Sequence, residues 1–142
     1  MIDTLKIYIE YSIIGVLALM SFLTLWFAFE RYFFLSKIKL EDYKKVGELE
    51  NDLTKNITTL YTIASNAPYI GLFGTVCGIM ITFYKISESS NFDTNSVMMG
   101  LALALKATAL GILVAIFTTI IYNAIARKID VLMARWRDLN ES

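Results

Sequence analysis

The chain has 142 residues, of which 56% are hydrophobic and only 18% charged, and its mean hydropathy is +0.56. A water-soluble domain contains about 45–50% apolar and about 25% charged residues, so this composition indicates a protein whose solvent is a lipid bilayer. Positive and negative residues balance at 13 each, which gives no indication of nucleic-acid binding, and one cysteine without histidine excludes a disulfide framework and a Cys/His metal cluster.

Three charge-poor segments are long enough to cross a bilayer. Residues 11–29 form a run of 19 and residues 56–84 a run of 29 without charge, and Lys106 is the only charged residue within 94–126. A spanning helix needs about 20 apolar residues, so we predict an all-α membrane protein with three transmembrane helices. The first segment lacks a basic start and a small-x-small cleavage site, so we expect a retained helix rather than a signal peptide.

The positions of lysine and arginine predict the orientation. Ten of them lie in the segments that follow the first and third spans, whereas Lys6 and Lys85 lie at the other ends. Positive residues favour the cytoplasmic side, so we expect the N-terminus outside. The predicted organisation is an outer N-terminus with transmembrane helix 1 (1–29), a cytoplasmic helical segment (30–59), transmembrane helix 2 (60–84), a periplasmic turn (85–95), transmembrane helix 3 (96–126) and a cytoplasmic helical tail (127–142).

Apolar residues recur at spacings of three and four next to the second and third spans, as in an amphipathic helix. One stripe comprises Val46, Leu49, Leu53, Ile57, Leu60 and Ala64, and the other comprises Ile125, Ile129, Leu132, Trp136 and Leu139. Because both stripes adjoin a spanning segment, we predict that the second and third helices are long, extend into the cytoplasm and pack together there. The alternative is that the stripes lie on the membrane surface.

Small residues concentrate on one face of each later helix. The second helix carries Ala67, Gly71, Gly74, Thr75, Gly78 and Thr82, and the third carries Ala104, Thr108, Gly111, Ala115, Thr118 and Tyr122. Small faces let helices approach closely in a membrane, so on pattern alone they indicate a tightly packed hairpin. Two such faces are hard to bury fully with only one further helix, which favours self-association or a partner helix.

Carboxylates are absent from the two later spans: none lies between Asp52 and Glu88, or between Asp93 and Asp130. Proton relays in membranes usually use Asp, Glu or His, whereas these spans offer hydroxyls, which do not titrate near neutral pH. If protons pass, the titrating group must come from another polypeptide. We expect no enzyme and no cofactor, because a histidine base, a phosphate loop and a metal-ligand cluster are all missing.

Two stretches resemble the signatures of a known family. Residues 67–80, APYIGLFGTVCGIM, are similar to the second-helix motif of the ExbB/TolQ family, which is distantly related to MotA. Residues 105–111, LKATALG, and 121–127, IYNAIAR, are similar to its third helix, and the last phrase is closer to the ExbB branch. This chain is short for the family, and the missing length falls mainly in the cytoplasmic segments.

The resemblance implies a multi-pass proton-channel subunit of the bacterial inner membrane. Its partners in that family are itself, as a homopentamer, membrane lipid, an ExbD-like single-span protein that supplies the protonatable aspartate, and a TonB-like protein that drives outer-membrane nutrient import. Matched residue by residue, Thr75 and Thr108 line the proton pathway. The helix-packing and pore face comprises Ala67, Gly71, Gly74, Gly78, Thr82, Ala104, Gly111, Ala115 and Thr118. Two alternatives stay open: a TolQ-like subunit that energises envelope constriction, and a membrane scaffold that moves no ions.

Lys106 departs from the family pattern, in which a glutamate is common one turn earlier, at the position of Leu103. By the helical repeat, Lys106 lies about 160° around the helix from Thr108, so it does not face the same lumen. One interpretation is that it snorkels to the outer interface or pairs with a carboxylate such as Glu10. The other is a charge at the seam between subunits.

Overall fold

The computed structural model describes residues 2–88 and 93–141. In chain order, α1 spans Ile2–Lys37, a 3-10 turn covers Leu40–Asp42, α2 spans Val46–Leu53, α3 spans Ile57–Glu88 and α4 spans Thr94–Glu141. No strand occurs among these described residues, so the predicted all-helical class is confirmed. Residues 89–92 of the predicted turn, like residues 1 and 142, lie outside the described residues.

The helices α1, α3 and α4 are each long and apolar enough to cross a membrane. Their 36, 32 and 48 residues correspond to about 54, 48 and 72 Å of helix. The apolar layer of a bilayer is about 30 Å thick, so each helix continues beyond it at one end or both. The protein is therefore a multi-pass membrane protein with three spanning helices.

The start of α4 has a local cause in the sequence. Asp93 lies immediately before the helix, and its carboxylate accepts hydrogen bonds from the backbone N–H of Asn95 at 3.1 Å and from the hydroxyl of Ser96 at 2.8 Å. An aspartate in this position satisfies a backbone donor of the first turn that has no partner inside the helix. From there α4 runs without a proline to Glu141.

The α3 and α4 helices form an antiparallel hairpin, and α1 packs against both of them. A small core in the middle of the spans, the span core, is formed by Ile13, Leu17, Ala67 and Ala115. A larger core, the end core, joins α2 to the end of α1, the start of α3 and the second half of α4; it consists of Leu35, Leu49, Leu53, Leu60, Ile125, Ile129, Leu132 and Met133. Three leucines of the end core, Leu49, Leu53 and Leu60, are 0% exposed.

The end core shows how the two amphipathic stripes behave. Their central residues pack against each other, while Val46 and Leu139, at the two far ends, remain exposed. The first stripe is divided between two helices, because the chain turns after α2 and Asn56 adopts a left-handed backbone conformation with φ 68°. Asparagine tolerates this conformation better than most residues.

Candidate functional site

The two threonines predicted to line a pathway lie side by side where α3 meets α4. The hydroxyl of Thr75 contacts the hydroxyl of Thr108, and Thr75 also donates a 2.9 Å hydrogen bond to the backbone carbonyl of Ala104. Thr75 is buried, at 6% exposure, whereas Thr108 is partly exposed. The pair is therefore anchored at Thr75 and open at Thr108.

The number of donors and acceptors on each hydroxyl limits which hydrogen bonds this pair can offer to another polar group. A hydroxyl has one proton to donate and two lone pairs that accept. With the Thr75 proton directed to Ala104, the contact between the hydroxyls is completed by the proton of Thr108. Thr108 then presents an accepting oxygen, which suits a neutral group that carries a proton of its own. Rotation of both hydroxyls reverses this: Thr75 then donates to Thr108, and Thr108 can donate to an anion.

The small residues bring α3 and α4 into backbone contact beside the threonine pair. A Cβ added at Gly71 would come within 2.5 Å of the carbonyl oxygen of Ala107, and one added at Gly111 within 2.5 Å of the carbonyl oxygen of Ala67. Both distances are impossible for a real Cβ, so these two glycines are required by the close approach. The predicted packed hairpin is formed within one chain.

The remaining small residues extend this interface towards the turn. Gly74 and Gly78 face Ala107 and Ala104, where an added Cβ would come within 2.8 and 2.7 Å of their methyl groups. Thr82 lies against Gly100 in the same way. Near the other end, Ala67 and Ala115 belong to the span core. The predicted helix-packing residues thus contact one another; their assignment to a pore face stays a prediction.

Thr118 turns towards a partner that the sequence analysis did not identify. Its hydroxyl lies 3.0 Å from that of Thr24 on α1, both side chains are buried, and Thr24 donates to the carbonyl of Met20 at 2.8 Å. The buried positions of α1 are Ile13, Leu17, Thr24, Arg31 and Leu35, spaced by four, seven, seven and four residues. That spacing marks one helix face.

The outward surface of the spans is apolar and largely uncovered within one chain. Of the most apolar 18-residue window in each helix, only 17% in α1, 28% in α3 and 11% in α4 is buried. Large side chains such as Phe73, Met80 and Phe117 are more than half exposed. Because packing within the chain leaves this surface exposed, lipid or further protein must cover it.

Lys106 lies on the exposed side of α4 and lines a groove together with Lys6 and Glu10. Within the described part of the chain, Lys106 forms no ion pair, so the expected pairing with Glu10 is not made in this arrangement. Both interpretations of Lys106 stay predictions.

No cofactor or metal site is evident in the residues that the structure describes. They contain no group of three Asp, Glu, Cys or His side chains arranged to hold a metal ion. Cys77 is a free thiol, partly buried in α3. The chemistry of the spans therefore rests on hydroxyls, backbone groups and Lys106.

Comparison with known proteins gives consistent matches. A sequence model of the MotA/TolQ/ExbB proton channel family matches residues 36–138. The Biopolymer transport protein ExbB of Helicobacter pylori is 53% identical over 133 residues, covering 94% of this chain and 92% of the relative. The protein of the same name from Aquifex aeolicus is 46% identical over 140 residues, covering 99% and 95%. The Tol-Pal system protein TolQ of Pseudomonas aeruginosa is 38% identical over 91 residues, covering 64% of this chain and 39% of TolQ.

The coverage separates these relatives. The two ExbB proteins match this chain almost from end to end, so its short length is shared with members of the family. The match to TolQ covers a part of each protein. The helices, the two motifs and these matches agree, and the chain belongs to the MotA/TolQ/ExbB proton channel family.

Proposed function

We propose that this chain is the channel-forming subunit of an ExbB-type energiser, which couples the proton-motive force to TonB-dependent import across the outer membrane. It lies in the bacterial inner membrane with its N-terminus outside and with α2 and the end core in the cytoplasm. The excess of lysine and arginine near the end core supports this orientation. The near-complete matches to proteins named ExbB support this client over the TolQ alternative.

One observation carries the proposal: the hydroxyl pair of Thr75 and Thr108 lies in spans that contain no acid. Hydroxyls accept and donate hydrogen bonds but do not release protons near neutral pH. A pathway built on this pair therefore needs an acid from elsewhere. In our proposal a single-span, ExbD-like partner brings an aspartate to Thr108.

The geometry of the pair suggests what each threonine does. Loss of water favours the neutral form of a carboxyl group, and a neutral carboxyl donates to the accepting oxygen of Thr108. After the proton leaves, the Thr108 hydroxyl turns and donates to the carboxylate, and the Thr75 hydroxyl turns from Ala104 and donates to Thr108. Before that, while the carboxyl is neutral, Thr75 stays bonded to Ala104 and accepts the proton of Thr108. The pair thus serves both protonation states without titrating itself.

The apolar surface supports assembly of several copies around the partner helix. Because packing within one chain leaves most of each span uncovered, neighbouring copies have a wide surface available for contact. A homopentamer, as the resemblance implies, places one threonine pair per subunit around a common lumen. The partner's helix occupies that lumen.

Substitution of the hydroxyls tests the proposal in the reconstituted complex of this chain with its single-span partner. Thr108→Val keeps the shape of the side chain and removes the hydroxyl. We expect proton flux to fall about tenfold, the effect of one lost hydrogen bond of about 1.4 kcal/mol in the transfer step. Thr119→Val is the matched control, because Thr119 is exposed and forms no side-chain hydrogen bond in the described part of the chain.

Three outcomes contradict parts of the proposal. Unchanged flux in Thr108→Val removes the assigned role of the pair. Sustained proton leak through this chain without its partner shows that no external acid is needed. A wild-type complex that assembles but conducts no protons over the pH range identifies the scaffold alternative instead.

A further inference from the structure

A shallow groove runs between α1 and the α3–α4 hairpin near the start of α1. Its walls are apolar and include Ile13 and Leu110, and Lys6, Glu10 and Lys106 also line it. The enclosed volume is about 50 Å³, so any occupant lies along the groove and is not enclosed by it. Charged and apolar linings therefore meet in one open surface.

The charges of the groove do not cancel. Two ammonium groups, Lys6 and Lys106, face one carboxylate, Glu10, and none of the three forms an ion pair within the described part of the chain. When Glu10 pairs with either lysine, one ammonium is still left over. Lysine ammonium groups at a membrane surface attract anions, so an anion is expected here.

The depth of the groove points to the kind of anion. The charge-free run of α1 begins at residue 11 and contains 19 residues, which is about 28 Å of helix and matches the thickness of the apolar layer. Lys6 and Glu10 therefore lie at the edge of that layer. Since Lys106 lines the same groove, its ammonium reaches the same edge, where lipid headgroups lie.

We propose that this groove binds a phospholipid, whose phosphate is held by Lys6 and Lys106 and whose acyl chain follows the apolar wall. The proposal does not rest on proton conduction. A carboxylate from a second copy of the chain, such as Glu10 or Glu88, is the other candidate anion, although two further carboxylates at this end are already engaged. Asp3 pairs with Lys85, and Asp93 caps α4. The apolar wall beside the lysines favours the lipid, because a carboxylate alone would leave that wall uncovered.

Native mass spectrometry of the purified oligomer tests the proposal. Phosphatidylglycerol, phosphatidylethanolamine and diacylglycerol are added in separate titrations. The first has a phosphate and a net negative charge, the second has a phosphate but no net charge, and the third has acyl chains without a phosphate. We expect both phospholipids to bind and diacylglycerol not to bind. Lys6→Met and Lys106→Met should each weaken phospholipid binding about fivefold, the effect of one lysine at a membrane surface. Lys106→Arg should retain it.

Two further variants guard against indirect effects. Lys39→Met removes an exposed lysine outside the groove and should leave lipid binding unchanged. Glu10→Gln removes the competing carboxylate and should strengthen phospholipid binding while the mass of the oligomer stays the same. The masses and thermal unfolding curves of all variants show whether each still folds and assembles.

Two results overturn the proposal. The first is equal phospholipid binding by the wild type and by the double variant that carries both Lys6→Met and Lys106→Met. The second is dissociation of the oligomer by Glu10→Gln, with reassembly when Lys106→Glu and Glu10→Lys are combined. That second result identifies the neighbouring copy, and not a lipid, as the source of the anion.

Discussion

The guanidinium of Arg31 donates a 2.7 Å hydrogen bond to the backbone carbonyl of Asp52, and a 3.1 Å bond to that of Leu53. These carbonyls end α2, where the last oxygens of a helix lack internal donors and carry partial negative charge. Two further bonds, of 2.5 and 2.6 Å, run to the carboxylate of Glu30, and the ring of Phe34 lies 4.5 Å away. Arg31 is 1% exposed, so it attaches α1 to the end of α2 as a buried cation.

Replacing Arg31 by methionine should destabilise the protein strongly. The change keeps the apolar stem but leaves Glu30 and the carbonyls of Asp52 and Leu53 without their donor, which we expect to cost about 2–4 kcal/mol in the free energy of unfolding. Arg31→Lys should recover only part of the loss, because a lysine lacks the planar fork that bonds to several acceptors at once. Unfolding of the detergent-solubilised protein measures both variants. Arg135→Met, at an exposed position, is the matched control; an equal effect there contradicts the assignment.

Arg31 also shows why part of the structure did not follow from the sequence. An arginine directly after an apolar run is typical of a residue at the membrane edge with its charge in water. Its burial depends on α2 folding back against α1, which no local pattern announces. The turn at Asn56 is similar, since it divides an apolar stripe that reads as continuous. Periodicity indicates which face of a helix is buried, but not where a chain turns back.

Close packing of the hairpin predicts that Gly71→Ala and Gly111→Ala disrupt it. Each new methyl group meets backbone atoms, which cannot move aside as a side chain can, so we expect a loss of about 1–3 kcal/mol or more. Gly15→Ala is the control, because nothing lies within 4 Å of a Cβ there. Alanine is the better helix former by about 1 kcal/mol, so Gly15→Ala should be neutral or stabilising. Equal shifts in the thermal unfolding temperature for all three variants would contradict the prediction.

The small faces were the most predictable part of the candidate site. Their spacing placed Gly71 and Gly111 each on the small face of its own helix, and in the structure these two residues meet within one chain. The reason is physical: a helix has a fixed repeat, so its small positions form a continuous strip that only another helix can approach. The partner of Thr118 was missed because Thr24 is one polar residue within an apolar run, and the bond joins two residues that are 94 positions apart in sequence.

The bond between Thr24 and Thr118 should contribute modestly to the packing of α1. Hydrogen bonds between membrane helices contribute about 0.6 kcal/mol on average, so Thr24→Val and Thr118→Val should each destabilise by about that amount or somewhat more. The double variant should lose less than the sum of the two, because the second change removes a bond that is already broken. A double-mutant cycle of unfolding free energies gives the coupling. Additive losses mean that the hydroxyls do not interact.

Tyr43 should make stability depend on pH at the alkaline end. Its hydroxyl donates a 2.6 Å hydrogen bond to the Asp52 carboxylate, and this bond, together with burial and the negative charge, raises the pKa of Tyr43 to about 12. An unfolded tyrosine has a pKa of 10.0, so the folded protein holds this proton more tightly. The resulting stabilisation is complete below about pH 10 and disappears as the pH rises through about 12.

Comparison of the wild type with Tyr43→Phe isolates this effect from the titration of lysines, which both proteins share. The free energy of unfolding of the wild type should exceed that of Tyr43→Phe at pH 8 and should approach it between pH 10 and 12. Tyr8→Phe, at an exposed position on α1, should show no such convergence. A constant difference in the free energy of unfolding between wild type and Tyr43→Phe from pH 8 to 12 would contradict the prediction. It would mean that the phenol has the same pKa in the folded and unfolded protein, so that the bond to Asp52 does not favour the protonated form.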